Sequence, residues 1–237
     1  MAEQSNKTRT ADPWRDTDVI DEHAPRFNQA VTGLVALLGA LFGWPLAWAL
    51  MSLQLLIGLT LGRRFCLPCL AFFTLVQPRI GEGRLEDSRP PRLANMIGTA
   101  ILGTAALAWW LGAPVVGTVL GSLVAALALL AASTGLCVGC ELYKLSARFR
   151  GISPRHHSRI DVADLNGIGG DVAYVEFTHP LCSECSEWEE RLGSRPEPLV
   201  KLDVSHRPDL ARKYGIAVVP TVLRVAPDGA VLDRLAP

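Results

Sequence analysis

All six cysteines of the 237-residue chain fall into CxxC pairs: Cys66-Leu-Pro-Cys69, Cys137-Val-Gly-Cys140 and Cys182-Ser-Glu-Cys185. Scattered structural cysteines would not pair at this spacing. Two thiols so placed close into a disulfide, exchange one with another thiol, or bind a soft metal. No Ser–His–Asp pattern, Walker motif or nicotinamide fingerprint accompanies them. Gly167-Ile-Gly-Gly170 precedes a strand and does not open a helix, which argues against a phosphate loop. Electrons must therefore come from or leave to another protein, a low-molecular-weight thiol or disulfide, or a quinone reached through the bilayer.

The third pair has the clearest local context. Asp171–Thr178 (DVAYVEFT) is rich in β-branched and aromatic residues and reads as a buried strand. It runs through His179-Pro180-Leu181 into CSECSEWEERL, which has helical character. A cysteine opening a helix feels the positive end of the dipole and unpaired N–H groups, both of which favour thiolate. Cys182 is then the attacking sulfur and Cys185 the resolving one. His179, three residues before Cys182, is a candidate to orient the thiolate or an ordinary surface histidine. A second strand is expected over Leu199–Val204, a helix over Pro208–Tyr214, and a strand pair turning at Pro227-Asp228-Gly229.

Upstream, charge is sorted sharply. No Asp, Glu, Lys or Arg occurs in the 36 residues Phe27–Gly62 or in the 48 residues Leu93–Cys140. A membrane-spanning helix needs about 20 apolar residues. The longer run thus predicts spans near 93–111 and 115–137, turning at Gly112-Ala113-Pro114. The shorter run predicts two short spans near 28–43 and 46–61, turning at Gly43-Trp44-Pro45, with a re-entrant hairpin as the alternative. Leu70–Gln77 is too short to span and is expected in the interface. The polar first 25 residues lack the apolar core of a signal peptide. Four spans leave both termini on one side. The two tight turns carry no Lys or Arg, whereas 15 fall on the opposite side, from Lys7 to Arg159. Basic loops stay cytoplasmic. The chain is therefore expected to be integral to the plasma membrane, in contact with lipid, with the C-terminal domain on the cytoplasmic side. The balance of 23 basic and 23 acidic residues gives no footprint for nucleic acid.

The segment KLDVSHRPDLARKYGIAVVPTVLRVAPDGAVL, with the strand and CxxC before it, resembles thioredoxin over about residues 158–237. The resemblance implies a thiol-disulfide oxidoreductase. It makes Pro220 the cis-proline facing the dithiol, whose preceding carbonyl binds substrate backbone. It sets Glu176 where the family keeps a buried acid that helps deprotonate the resolving cysteine; a charged strand residue is the alternative. The sequence departs from the family at Leu181 (Trp there) and at Ser183-Glu184 (Gly-Pro there), and Glu184 should oppose the thiolate. It also stops before the family's terminal helix, which predicts an uncovered sheet face needing the membrane domain or a second protein. GLCVGCELYKL, RFNQAV and FCLPC resemble a membrane family known only as domain of unknown function 4395, over about residues 20–150.

The expected fold class is multi-domain: an all-α four-span membrane helical bundle followed by a shortened α/β thioredoxin-like domain lacking the terminal helix. Its parts are a polar arm (1–26), the membrane domain with two CxxC pairs (27–145), a basic linker carrying His156-His157 (146–160) and the thioredoxin-like domain (161–237). Three functions compete. In a redox relay without cofactor, Cys182/Cys185 exchange electrons with Cys66/Cys69 and Cys137/Cys140. The second of these membrane pairs is expected to end a helix and the first to begin one, giving unequal potentials. In a staple, Cys66, Cys69, Cys137 and Cys140 hold zinc or an iron–sulfur cluster. In an anchor, the C-terminal domain acts alone on soluble cytoplasmic thiols.

Overall fold

The computed structural model describes residues 11–150, 159–165 and 172–236. The start of the polar arm, the His156-His157 stretch and the Gly167-Ile-Gly-Gly170 segment lie outside the described residues. The chain divides into two compact units: Ile20–Gly83 with Ser88–Tyr143, and Lys144–Pro237 with Arg84–Asp87 and Met1–Val19. A short strand β1 (Val19–Asp21) opens the described elements.

The first unit is helical. α1 (His23–Leu41) packs on α2 (Pro45–Leu61) and α6 (Pro114–Thr134), and α5 (Arg89–Trp110) packs on α2 and α6, closing a ring of four helices. The two hairpins use the same device. Gly43 and Gly112 take positive φ, of 59° and 87°, and a proline two residues later starts the next helix, where its missing N–H costs nothing. Trp48 holds the centre: it is fully buried, and its indole N–H donates to the Ala36 carbonyl at 3.0 Å. Gly39 and Gly121 flank the indole so closely that a Cβ on either would overlap it. Asn28 Nδ2 donates to Asn95 Oδ1 at 3.2 Å, tying α1 to α5.

α5 and α6 are, among the described residues, the helices long and apolar enough to cross a membrane. α2 is apolar but has 17 residues. The chain from Leu67 to Ile80 is helical: α3 (Leu67–Ala71), a π-helical stretch (Phe72–Val76) and α4 (Gln77–Ile80). Phe72 and Phe73 are buried there, Phe72 5.8 Å from the Phe27 ring. A strand β2 (Leu85–Asp87) precedes α5.

α6 stops before its expected end. Gly135 adopts the left-handed conformation (φ 79°) and returns its N–H to the Ala131 carbonyl at 2.9 Å, a C-cap that ends the helix at Thr134. A new helix, α7 (Val138–Arg150), begins after Cys137.

The second unit is a small α/β fold. β3 (Ala173–Thr178) leads through α8 (Ser183–Gly193) to β4 (Leu199–Asp203), parallel to β3 with Val175 beside Val200. α9 (Pro208–Lys213) leads to β5 (Thr221–Val225), antiparallel to β3 with Val175 beside Leu223, and β6 (Val231–Ala236) returns along β5. The sheet order is β4-β3-β5-β6. One core gathers Val175, Phe177, Leu210, Tyr214 and Leu223 with both cysteines of the third pair. A second, around Tyr174 and Val222, is closed by Trp188 and Leu192 of α8. Every residue of β3 is buried, so the expected bare face is absent at the sheet centre. The apolar side of α8 supplies that cover.

Candidate functional site: three helix-capping dithiols

The three CxxC pairs share one local geometry. In each, the first cysteine immediately precedes a helix and its Sγ accepts a hydrogen bond from the N–H of the second. The distances are 3.3 Å at Cys66, 3.2 Å at Cys137 and 3.2 Å at Cys182. Each pair is closed as a disulfide, with Cα atoms 5.2, 5.1 and 5.3 Å apart. After reduction the same N–H groups and the positive helix end face a thiolate on the first sulfur. For Cys137/Cys140 this reverses the expectation. The pair does not end the fourth long helix; Gly135 breaks the chain first, and Cys137 opens α7. The inferred difference in dipole between the two pairs of the helical unit is therefore gone.

At the third pair, both sulfurs are enclosed: Cys182 is 2% and Cys185 1% exposed. Cys182 sits in extended backbone (φ −83°, ψ 117°) at the start of α8. His179 caps the preceding turn, its Nδ1 accepting from the Leu181 N–H at 3.2 Å, and makes no hydrogen bond to sulfur. Glu184 lies in the first turn of α8, where the dipole draws its carboxylate as well. Glu176 on β3 is fully buried, and neither carboxyl oxygen has a hydrogen-bond partner among the described residues. Loss of solvation, then the charge of Glu189, pushes its pKa up to about 8, against a smaller pull from Lys201. It is a protonated carboxyl at neutral pH. The Val219–Pro220 peptide bond is cis, and Val219 belongs to the same buried cluster as the two cysteines.

A segment distant in sequence completes this site. The Leu85 N–H donates to Ser183 Oγ at 2.9 Å, Arg84 pairs with Glu187 at 2.6 Å, and Asp87 Oδ2 accepts from the Val219 N–H at 3.2 Å. Arg84–Asp87 thus touches the residue after Cys182 and the residue before Pro220.

In the helical unit, Cys66 is 5% exposed and lies against Gly58 of α2. Cys137 Sγ accepts from Gln29 Nε2 of α1 at 3.3 Å. Beside it a cavity of about 210 Å³ opens among the helices, lined by Gln29, Thr32, Asn95, Ala128, Cys137 and Leu142, among others. Among the described residues, no three or more His, Cys, Asp or Glu side chains gather as a metal-ligand set. The four thiolates of a staple are not assembled. Gln29, Thr32, Asn95 and Asp87 were not marked by motif. The signal for the first three was present: polar residues inside the uncharged apolar runs 27–62 and 93–140.

The family model described as Domain of unknown function (DUF4395) matches residues 20–148. No curated protein matches the chain, and no solved structure does.

Proposed function

We propose, for a chain that belongs to the DUF4395 family and takes from it a helical unit without an assigned activity, that it is a membrane-bound thiol-disulfide oxidoreductase. The α/β unit is read as a thioredoxin-like domain with Cys182 and Cys185 as its dithiol, exchanging electrons with the CxxC pairs of the helical unit. The observation that carries this is the common geometry of the three pairs, each first sulfur at a helix start and hydrogen-bonded to the second cysteine's N–H. A staple would need only two of those pairs, and an anchor none in the helical unit.

The chemistry is ordinary exchange. Cys182 thiolate attacks one sulfur of a partner disulfide, forming a mixed disulfide and releasing the partner's other sulfur as thiolate. Cys185 then attacks Cys182. The Cys182–Cys185 disulfide forms, and the partner leaves as a dithiol. Glu176, protonated at neutral pH and buried on β3, is read as the proton station for Cys185. Pro220 and the backbone before it position the incoming strand.

The helical unit is read as a four-span membrane domain. Apolar side chains face outward on all four long helices, including Leu34 and Leu41, Leu50 and Leu53, Leu107, and Val119; lipid is the surrounding that suits them. The basic loops and termini, with the α/β unit, are assigned to the cytoplasmic side from the distribution of Lys and Arg.

The experiment is to trap the intermediate. Cys185→Ser leaves a mixed disulfide at Cys182 unresolved, and peptide mapping in native membranes identifies its partner. Linkage to Cys66, Cys69, Cys137 or Cys140 supports the relay. Linkage to soluble proteins alone, with the four membrane cysteines resisting alkylation until a chelator is added, would defeat it in favour of the zinc or iron–sulfur staple.

A further inference from the structure

The cavity beside Cys137 has three properties that together specify a ligand. Its volume, about 210 Å³, exceeds the ~150 Å³ of an engineered apolar cavity that takes up benzene, so one substituted ring fits. Its walls are mainly aliphatic, from Leu55, Ile101, Val124 and Leu142. Its polar lining consists of Gln29, Thr32, Asn95 and Cys137, with Gln29 Nε2 donating to Cys137 Sγ.

Thr32 is the second observation. A threonine in a helix normally returns its hydroxyl to the carbonyl four residues back. Thr60, Thr74, Thr99, Thr104 and Thr134 all do so, at 2.7–2.8 Å. Thr32 does not: it lines the cavity, is 6% exposed, and its Oγ1 has no hydrogen-bond partner among the described residues. An unmade hydrogen bond on a buried hydroxyl is costly, and a ligand oxygen in the cavity would satisfy it.

We infer that this cavity binds the ring of a lipid-soluble quinone, which accepts the electrons of the Cys137/Cys140 dithiol. The inference rests on reading that pair as redox-active. The match is one of chemistry: an apolar ring for the walls, a carbonyl oxygen for Thr32, and a two-electron, two-proton couple for a dithiol. Both S–H bonds are lost and the Cys137–Cys140 bond forms. The two electrons and two protons pass to the quinone, whose two carbonyl oxygens become the hydroxyls of the quinol.

The test uses the full chain, reduced and reconstituted in phosphatidylcholine nanodiscs, with decylubiquinone as probe. Quinol is followed by absorbance, and each cysteine pair by differential alkylation and mass spectrometry. The expected result is a phase that saturates with quinone, in which the Cys137–Cys140 disulfide appears before the other two. Thr32→Val should raise the half-saturating concentration about fivefold, the worth of one hydrogen bond. Ala128→Trp, which fills the cavity, should abolish saturation. Oxidation that rises linearly with quinone, or a saturating phase untouched by both substitutions, overturns the assignment. Rapid oxidation of Cys137/Cys140 with Cys182/Cys185 left reduced supports the cavity and defeats the relay, so the two readings fail separately.

Discussion

The Asp87 carboxylate accepts a hydrogen bond from the Val219 N–H at 3.2 Å, one residue before the cis Pro220. With the Leu85 N–H to Ser183 Oγ bond, it fixes Arg84–Asp87 at the residue after Cys182 and at the residue before Pro220. On the thioredoxin-like reading, an incoming strand pairs at this edge, so the segment and a substrate compete for it. Both cysteines are buried beside it, 2% and 1% exposed.

Asp87→Ala should therefore open the site. A hydrogen bond to a charged acceptor contributes about 1.5–3 kcal/mol, so alkylation of reduced Cys182 should speed up by roughly tenfold or more. Asp87→Asn, which keeps an acceptor, should change it less. Quenched-flow alkylation with peptide mapping measures both. An unchanged rate in the alanine variant would mean that the segment does not govern access.

How much of this was legible beforehand depends on range. The CxxC pairs and the Gly-x-Pro turns at Gly43 and Gly112 are local signals, and each carries its own backbone requirement. The order of strands and helices after Ala173 follows periodicity in the same local way. No charge marks the end of α6 within Leu93–Cys140; a left-handed Gly135 ends it, one glycine among many in that run. The contacts that shape the sites were invisible for another reason. Gln29 and Cys137 are 108 residues apart, and Asp87 and Val219 are 132 apart. Only tertiary packing joins them.

Glu176 makes the α/β unit sensitive to pH in a defined direction. Its folded carboxyl keeps its proton up to about pH 8, whereas the ordinary value for the free group is 4.5. Because the folded value is the raised one, its contribution is complete below pH 4.5 and is lost as pH climbs toward 8. Hydrogen-exchange protection of β3 amides, corrected for intrinsic rates, should fall across that window in the wild type. In Glu176→Gln the decline should disappear. The same variant should slow resolution by Cys185 and flatten its pH profile, which a purely structural residue would not do. A wild-type slope retained in the glutamine variant would remove Glu176 from both roles.

The Trp48 site sets the stability of the helical unit. Its indole fills the space left by Gly39 and Gly121. Gly121→Ala should destabilise the unit by about 1–3 kcal/mol through overpacking, and Trp48→Ala by about 3–5 kcal/mol through cavity formation. The combination should fall short of their sum, because the smaller side chain at position 48 makes room for the methyl group. Thermal unfolding in detergent, followed by near-ultraviolet circular dichroism, tests the non-additivity. Strict additivity would mean that the two residues do not meet.

Cys137 gives the sharpest test of the shared dithiol geometry. If it opened no helix and lay at the end of α6, the dipole would disfavour its thiolate, and Cys140 would be the more reactive sulfur. Placed before α7, it has the Cys140 N–H at 3.2 Å and the Gln29 amide at 3.3 Å, both donating to Sγ. Those donors favour the charged form on Cys137. In the reduced protein, iodoacetamide should label Cys137 before Cys140 at neutral pH, by roughly tenfold. Gln29→Leu removes one donor and should reduce that preference by about threefold to tenfold, leaving labelling at Cys66 and Cys182 unchanged. Mass spectrometry of the first-labelled peptide decides the matter. Initial labelling at Cys140 would restore the unequal pair expected from the uninterrupted apolar run and remove the common geometry on which the relay depends.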